Sequence, residues 1–157
     1  MSEHVLRFEV NGQPQEVTVQ AHHLLIDLLR ERLGLSGTKE ACSIGVCGAC
    51  SVLVDGRVVS ACLMPAVMVD GARIQTIEGL AAPDGSLSPL QDAFIRYGGF
   101  QCGICTPGQI IAATALLAEQ PHPTTEQIKE WMMGNLCRCT GYYKIIESIQ
   151  AAAEASA

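Results

Sequence analysis

The chain has 157 residues, 48% hydrophobic and 17% charged, with a formal charge of −6. So apolar and weakly charged a chain predicts a folded core, and its length suits one ordinary domain or two small ones. Acidity, few aromatic residues and no basic stripe exclude a nucleic-acid binder, and the longest nearly apolar run, 111–118, is far shorter than a membrane span. The N-terminal MSEHVLRFEVNG lacks a basic start followed by an apolar run, so no secretory signal is read there and a cytoplasmic location is expected.

In chain order, VLRFEV and QEVTVQ (5–10 and 15–20) read as strands around the turn-rich NGQP. Residues 23–33 set Leu24, Leu25, Leu28, Leu29 and Leu33 on one helical stripe. After a cysteine loop, SVLVDG and RVVSAC read as strands turned at Asp55 and Gly56, and ARIQTIEG follows as another. This order predicts a small mixed sheet with one crossing helix. A linker is expected at about 79–85, GLAAPDG, and beyond it the pattern becomes helical. Ser88, Thr106 and Thr124 each read as a helix N-cap with a glutamine three positions on (Gln91, Gln109, Gln127), the first two with proline at N1. A last helix over 142–153 brings the helix count to four, and short loops between them predict a compact bundle.

The 8 cysteines fall into two groups of four. Cys42, Cys47, Cys50 and Cys62 follow C-x4-C-x2-C-x11-C, and Cys102 and Cys105 are followed, after a 31-residue gap, by Cys137 and Cys139. The first pattern is the ligand spacing of plant-type [2Fe–2S] ferredoxins, in which one tight loop supplies three thiolates. Gly45 and Gly48 give that loop the freedom to turn backbone N–H groups inward. Such dipoles matter because an oxidised cluster with its four thiolates carries about two negative charges. The second group lies around a helix start near Pro107, whose positive end suits an anionic centre. Three other readings stay open on spacing alone: tetrathiolate zinc, disulfides in an oxidising compartment, or a redox dithiol at Cys102 and Cys105.

The remaining features carry less. His4, His22, His23 and His122 are scattered without ligand spacing; Trp131, Met132 and Met133 read as core; Arg138 stands between two cysteines, where it either offsets cluster charge or is solvated. No Ser/His/Asp set, paired carboxylates or phosphate loop is present, so the chain itself is expected to make no bonds.

GTKEACSIGVCGACSVLVDG, QCGICTPGQI and GNLCRCTGYYKI together resemble the iron–sulfur subunit of the molybdenum hydroxylases, the xanthine dehydrogenase family, over about residues 4–150. The resemblance implies an α+β fold: a plant-type ferredoxin-like (β-grasp) domain over 1–78 and a helical, four-helix bundle domain over 86–157, each with one [2Fe–2S] cluster. It implies that Cys102, Cys105, Cys137 and Cys139 hold the cluster nearest a molybdopterin in a partner large subunit, with Gln101 and Cys139 at pterin-contacting positions. The cluster of Cys42, Cys47, Cys50 and Cys62 then faces the acceptor, FAD on a medium subunit or a cytochrome, in an assembly expected to be a dimer of heterotrimers. Ala41 and Ile104 depart from the usual Gly and aromatic, and the CRCTGY ending resembles members served by a flavoprotein subunit. Against this electron-relay reading stand a free-standing two-cluster carrier and a zinc-stapled interaction module.

Overall fold

The computed structural model describes residues 3–155. Strands β1 (Glu3–Val10) and β2 (Gln13–Gln20) form an antiparallel hairpin in which Val10 pairs with Gln13. The turn is therefore the two residues Asn11 and Gly12, both at positive φ (51° and 76°), the geometry that matches strand twist. Pro14 belongs to β2 rather than to the turn, tolerated because β2 is an edge strand. β1 buries Leu6, Phe8 and Val10 on one face and exposes the alternate residues.

The predicted helix over 23–33 is only partly α-helical: α1 (Leu25–Asp27) widens at once into a π-helical segment, Leu28–Arg32. The wider turn still buries Leu25, Ile26, Leu28 and Leu29, while Leu24 and Leu33 lie at the margin of that core. Strands β3 (Ser51–Val54) and β4 (Arg57–Ser60) form a second hairpin, and β5 (Arg73–Gln75) completes the sheet in the order β2-β1-β5-β3-β4. The β1–β5 pair is parallel and the others antiparallel, so the sheet is mixed as expected.

The second half contains α2 (Pro89–Tyr97), α3 (Thr106–Glu119), α4 (Thr125–Trp131) and α5 (Tyr143–Ala155). Ser88 and Thr124 cap α2 and α4 as predicted, each exchanging hydrogen bonds with its glutamine. The expected Thr106 cap is corrected. Cys105 is the N-cap of α3 and makes no side-chain cap bond, and the Gln109 side chain donates instead to the Asn135 carbonyl. Met133 is likewise not core: it is 72% exposed, whereas Met132 is buried and Trp131 donates its indole N–H to the Ala112 carbonyl.

Buried side chains gather around the sheet (Leu6 to Ile74) and around the helices (Leu90 to Ala152). Leu53, Ile111 and Ala115 form a third, smaller cluster that joins β3 to α3. The chain is thus an α+β protein whose two halves meet along one face of α3.

Candidate metal centres

The first cysteine group is assembled by the β3–β4 hairpin and the loop before it. Because Ser51 pairs with Ser60, the flanking Cys50 and Cys62 come together and are buried. Cys42 and Cys47 sit on the loop, which turns through positive φ at Ser43 (56°), Gly45 (75°) and Gly48 (68°). A Cβ at Gly45 would press on the exposed Leu63 side chain, which can swing aside, so it is the left-handed backbone that favours glycine there. Ala41 does not adopt positive φ; the residue that does is Ser43, which the sequence did not single out. The Arg30 guanidinium, on the π-helical segment, donates to the carbonyls of Ser36 (2.9 Å) and Thr38 (2.8 Å) and anchors the approach to the loop.

The second group brings the start of α3 against the loop before α5. Cys139 Sγ lies 3.5 Å from Cys102 Sγ, and Cys105 hydrogen-bonds to Cys137. Cys105 and Cys137 are buried; Cys102, Cys139 and Gln101 are exposed, so Gln101 and Cys139 share one surface through Cys102. Arg138 is exposed beside them.

All eight cysteines are free, and they stand in pairs: Cys42 with Cys47, Cys50 with Cys62, Cys102 with Cys139, Cys105 with Cys137. Among the described residues no three His, Cys, Asp or Glu side chains converge on one ion-sized point. Two thiol pairs per site is the donor set of a dinuclear iron–sulfur cluster, which takes two thiolates at each iron. The residues present therefore fit a [2Fe–2S] group at each site.

Burial divides each site into an outer pair (Cys42 with Cys47, Cys102 with Cys139) and an inner pair (Cys50 with Cys62, Cys105 with Cys137). The backbone N–H of Ile44, then the Cys47 thiol and the N–H of Val46, lower the Cys42 thiol to about 6. Cys102 is held below its ordinary value by the N–H of Ile104 and by Cys139. Burial pushes Cys50 up to about 11 and Cys105 to about 12. Burial acts upward on Cys137, but hydrogen bonds from the hydroxyl and N–H of Thr140, the N–H of Cys139 and the Cys105 thiol together outweigh it and leave this thiol lowered. The hydrogen bond that Cys139 donates to Cys102 raises Cys139.

The two sites are joined by hydrogen bonds that the sequence did not signal. The Leu136 N–H donates to the Cys47 carbonyl at 2.8 Å, directly linking a first-site ligand to the neighbour of Cys137. Asn135, buried, donates through Nδ2 to the Gly48 carbonyl (3.0 Å) and to Ser51 Oγ (3.3 Å). Its own backbone carbonyl accepts from Gln109 Nε2 at 2.7 Å. A Cβ at Gly108 would strike the Gly48 carbonyl, so α3 touches the first cysteine loop backbone to backbone. Asn135 and Gln109 look like ordinary helix-end polar residues in sequence, and only tertiary contact distinguishes them.

A chain with two such thiol sites, one on a ferredoxin-like sheet and one among helices, is a two-centre iron–sulfur protein. Residues 8–80 match the family model of the 2Fe-2S iron–sulfur cluster binding domain, and residues 76–150 that of the [2Fe-2S] binding domain. The chain is 51% identical to a probable xanthine dehydrogenase subunit of Bacillus subtilis, over 90% of this chain and 81% of that protein. It is 47% identical to the aldehyde oxidoreductase iron–sulfur-binding subunit of Escherichia coli K12, over 94% and 71%. Quinoline 2-oxidoreductase from Pseudomonas putida superposes with a TM-score of 0.94 at 44% identity, covering 98% of this chain and 96% of that one. Aldehyde oxidoreductase from Desulfovibrio gigas superposes at 0.92 with 44% identity over 97% of this chain, but only 17% of that much longer polypeptide. The chain belongs to the iron–sulfur subunits of the molybdenum hydroxylases, the xanthine dehydrogenase family. It is an electron-transfer subunit of an oxidoreductase.

Proposed function

We propose that Cys42, Cys47, Cys50 and Cys62 hold one [2Fe–2S] cluster, and Cys102, Cys105, Cys137 and Cys139 the other. Bound clusters supply one-electron transfer, carrying electrons singly from a molybdopterin centre on a large subunit to FAD, or to a cytochrome, on another partner. This chain's residues hold the two centres at a fixed separation, shield their inner halves and present their outer halves to partners. The observation that carries this reading is the 2.8 Å hydrogen bond from Leu136 N–H to the Cys47 carbonyl, a short bonded bridge between the two ligand loops.

The order of the relay is supported by exposure. Gln101, Cys102 and Cys139 stand at one surface, where Gln101 and Cys139 are suited to contact the pterin. The first site reaches the surface through its own loop, where Ile44, Val46 and Leu63 are exposed; Phe100, Ile104 and Leu136 are exposed around the second. Apolar side chains bared around both cysteine groups suit coverage by partner subunits better than a freely diffusing carrier. The domains are read as 1–78 and 86–157, joined at about 79–85, because the sheet core and the helical core draw on separate stretches of chain. The four helices are read as one bundle around Phe94, Leu116, Ile128 and Ile149. A cytoplasmic dimer of heterotrimers is the proposed assembly. Among the described residues no helix is long and apolar enough to cross a membrane.

The test is iron and acid-labile sulfide analysis of the purified protein with EPR after dithionite reduction. About four iron and four sulfide with two [2Fe–2S] signals are expected. Cys62→Ala and Cys137→Ala should each remove one signal and stop electron delivery to the acceptor. Acceptor turnover that persists with one cluster gone would sink the relay, and zinc without sulfide would replace it with a structural role.

A further inference from the structure

Thr140 Oγ1 lies 3.2 Å from Cys137 Sγ, and the Thr140 N–H reaches the same sulfur at 3.5 Å. The direction of the hydroxyl bond follows from its surroundings. Tyr142 N–H donates to Thr140 Oγ1 at 3.2 Å, and a ligating thiolate has no proton to give, so the hydroxyl hydrogen points at the sulfur. Among the described residues this is the one hydroxyl that reaches a cysteine sulfur. The arrangement is closed by the Cys137 N–H, which donates to the Tyr142 hydroxyl at 3.0 Å.

The fold takes on strain to build this ring. Gly141 and Tyr142 are both left-handed, at φ 64° and 70°. Glycine occupies that region freely, whereas a bulky aromatic there is an outlier that surrounding contacts must hold in place. The two turns bring the backbone and the ring hydroxyl of Tyr142 back onto the segment Cys137 to Thr140. Two donors to one thiolate are thus fixed by bonds at both ends of the loop.

Resting on the cluster assignment above, we propose that Thr140 is a positioning residue that raises the reduction potential of the centre held by Cys102, Cys105, Cys137 and Cys139. Reduction adds negative charge to the centre and its sulfurs, so a hydrogen bond to Cys137 Sγ stabilises the reduced form more than the oxidised one. The donated hydrogen therefore draws electrons toward the centre whose ligands Cys102 and Cys139 are exposed.

The experiment is an EPR-monitored redox titration of Thr140→Val, Thr140→Ala and Thr140→Ser, each purified with its partner subunits and assayed for iron and sulfide. Val and Ala lack the hydroxyl but keep the backbone N–H; Ser keeps both. One of the two reduced signals is expected to titrate at lower potential in Val and Ala and to return to the wild-type value in Ser. The other signal should stay fixed in all three, a selectivity that a general loosening of the fold would not produce. If Val fails to load its second cluster, Ala decides. The proposal is overturned by unshifted potentials in the loaded variants, by Ser falling as far as Val, by both signals moving together, or by loss of iron from both Val and Ala. Wild-type protein without iron and sulfide would instead overturn the cluster assignment itself.

Discussion

Cysteines of one type are driven to different chemical states by position. Cys42 faces loop N–H groups that lower it to about 6, while burial holds Cys50 at about 11. In the cluster-free chain at neutral pH the first is therefore thiolate and the second thiol, and the thiolate is the nucleophile. Iodoacetamide added to freshly cluster-stripped protein at pH 7 is expected to modify Cys42 well before Cys50, with peptide mapping as the readout. Raising the pH toward 9 should leave the Cys42 rate nearly flat, since it is already ionised, while Cys50 gains. Equal rates at pH 7 would show that the loop loses its inward N–H groups without the cluster. The cysteine positions were legible in the sequence because spacing alone reports a ligand loop. Thr140 and Tyr142 were legible only as letters of CRCTGY: what matters is a donor direction and a positive φ, and a residue name specifies neither.

At the scale of elements, α3 does more than shelter a core. Its N-cap is Cys105, and its first turn presses Gly108 against the Gly48 carbonyl and sends Gln109 to Asn135. A Cβ at Gly108 meets backbone rather than a mobile side chain, so Gly108→Ala must part α3 from the first cysteine loop. A destabilisation of about 1–3 kcal/mol is expected from overpacking. Asn135→Ala deletes two donated bonds and uncovers the Gly48 carbonyl, for a loss on the order of 1–3 kcal/mol. Denaturant titration of each variant checks both; no change would mean that the junction is not a stability element. The same junction explains the failed cap prediction. Thr106-Pro107-Gly108-Gln109 has the letters of a capping box, as do the starts of α2 and α4, but the Gln109 side chain is turned into the core to donate to the Asn135 carbonyl, and its oxygen does not accept from the N-cap N–H as the box requires. The π-helical segment after α1 was equally illegible, because leucines at α-helical spacing also satisfy the wider turn.

For the whole molecule, the thiol groups tie together segments that the cores leave separate. Cys62 returns from β4 to a loop that precedes β3, and Cys137 and Cys139 close onto the start of α3 across the connection through α4. A metal group bound by the folded chain and not by the unfolded one adds its binding free energy to stability. Removing iron with a chelator under reducing conditions is expected to lower the thermal midpoint, and reconstitution with iron and sulfide to restore it. A midpoint indifferent to cluster content would assign stability to the two apolar cores alone.

The sequence by itself determined the two cysteine sets, the mixed sheet, the helices that follow it and the family. Each of these rests on local spacing, on periodicity, or on motifs read along one stretch of chain. Only the tertiary structure decided how the sets are related. The pairing of thiols across each site, the bridge from Leu136 to Cys47, the recruitment of Gln109 by Asn135 and the ring around Thr140 all depend on directions in space. A hydrogen bond is defined by the angle and distance between groups that folding brings together. The order of residues fixes which groups exist, and packing fixes which of them meet.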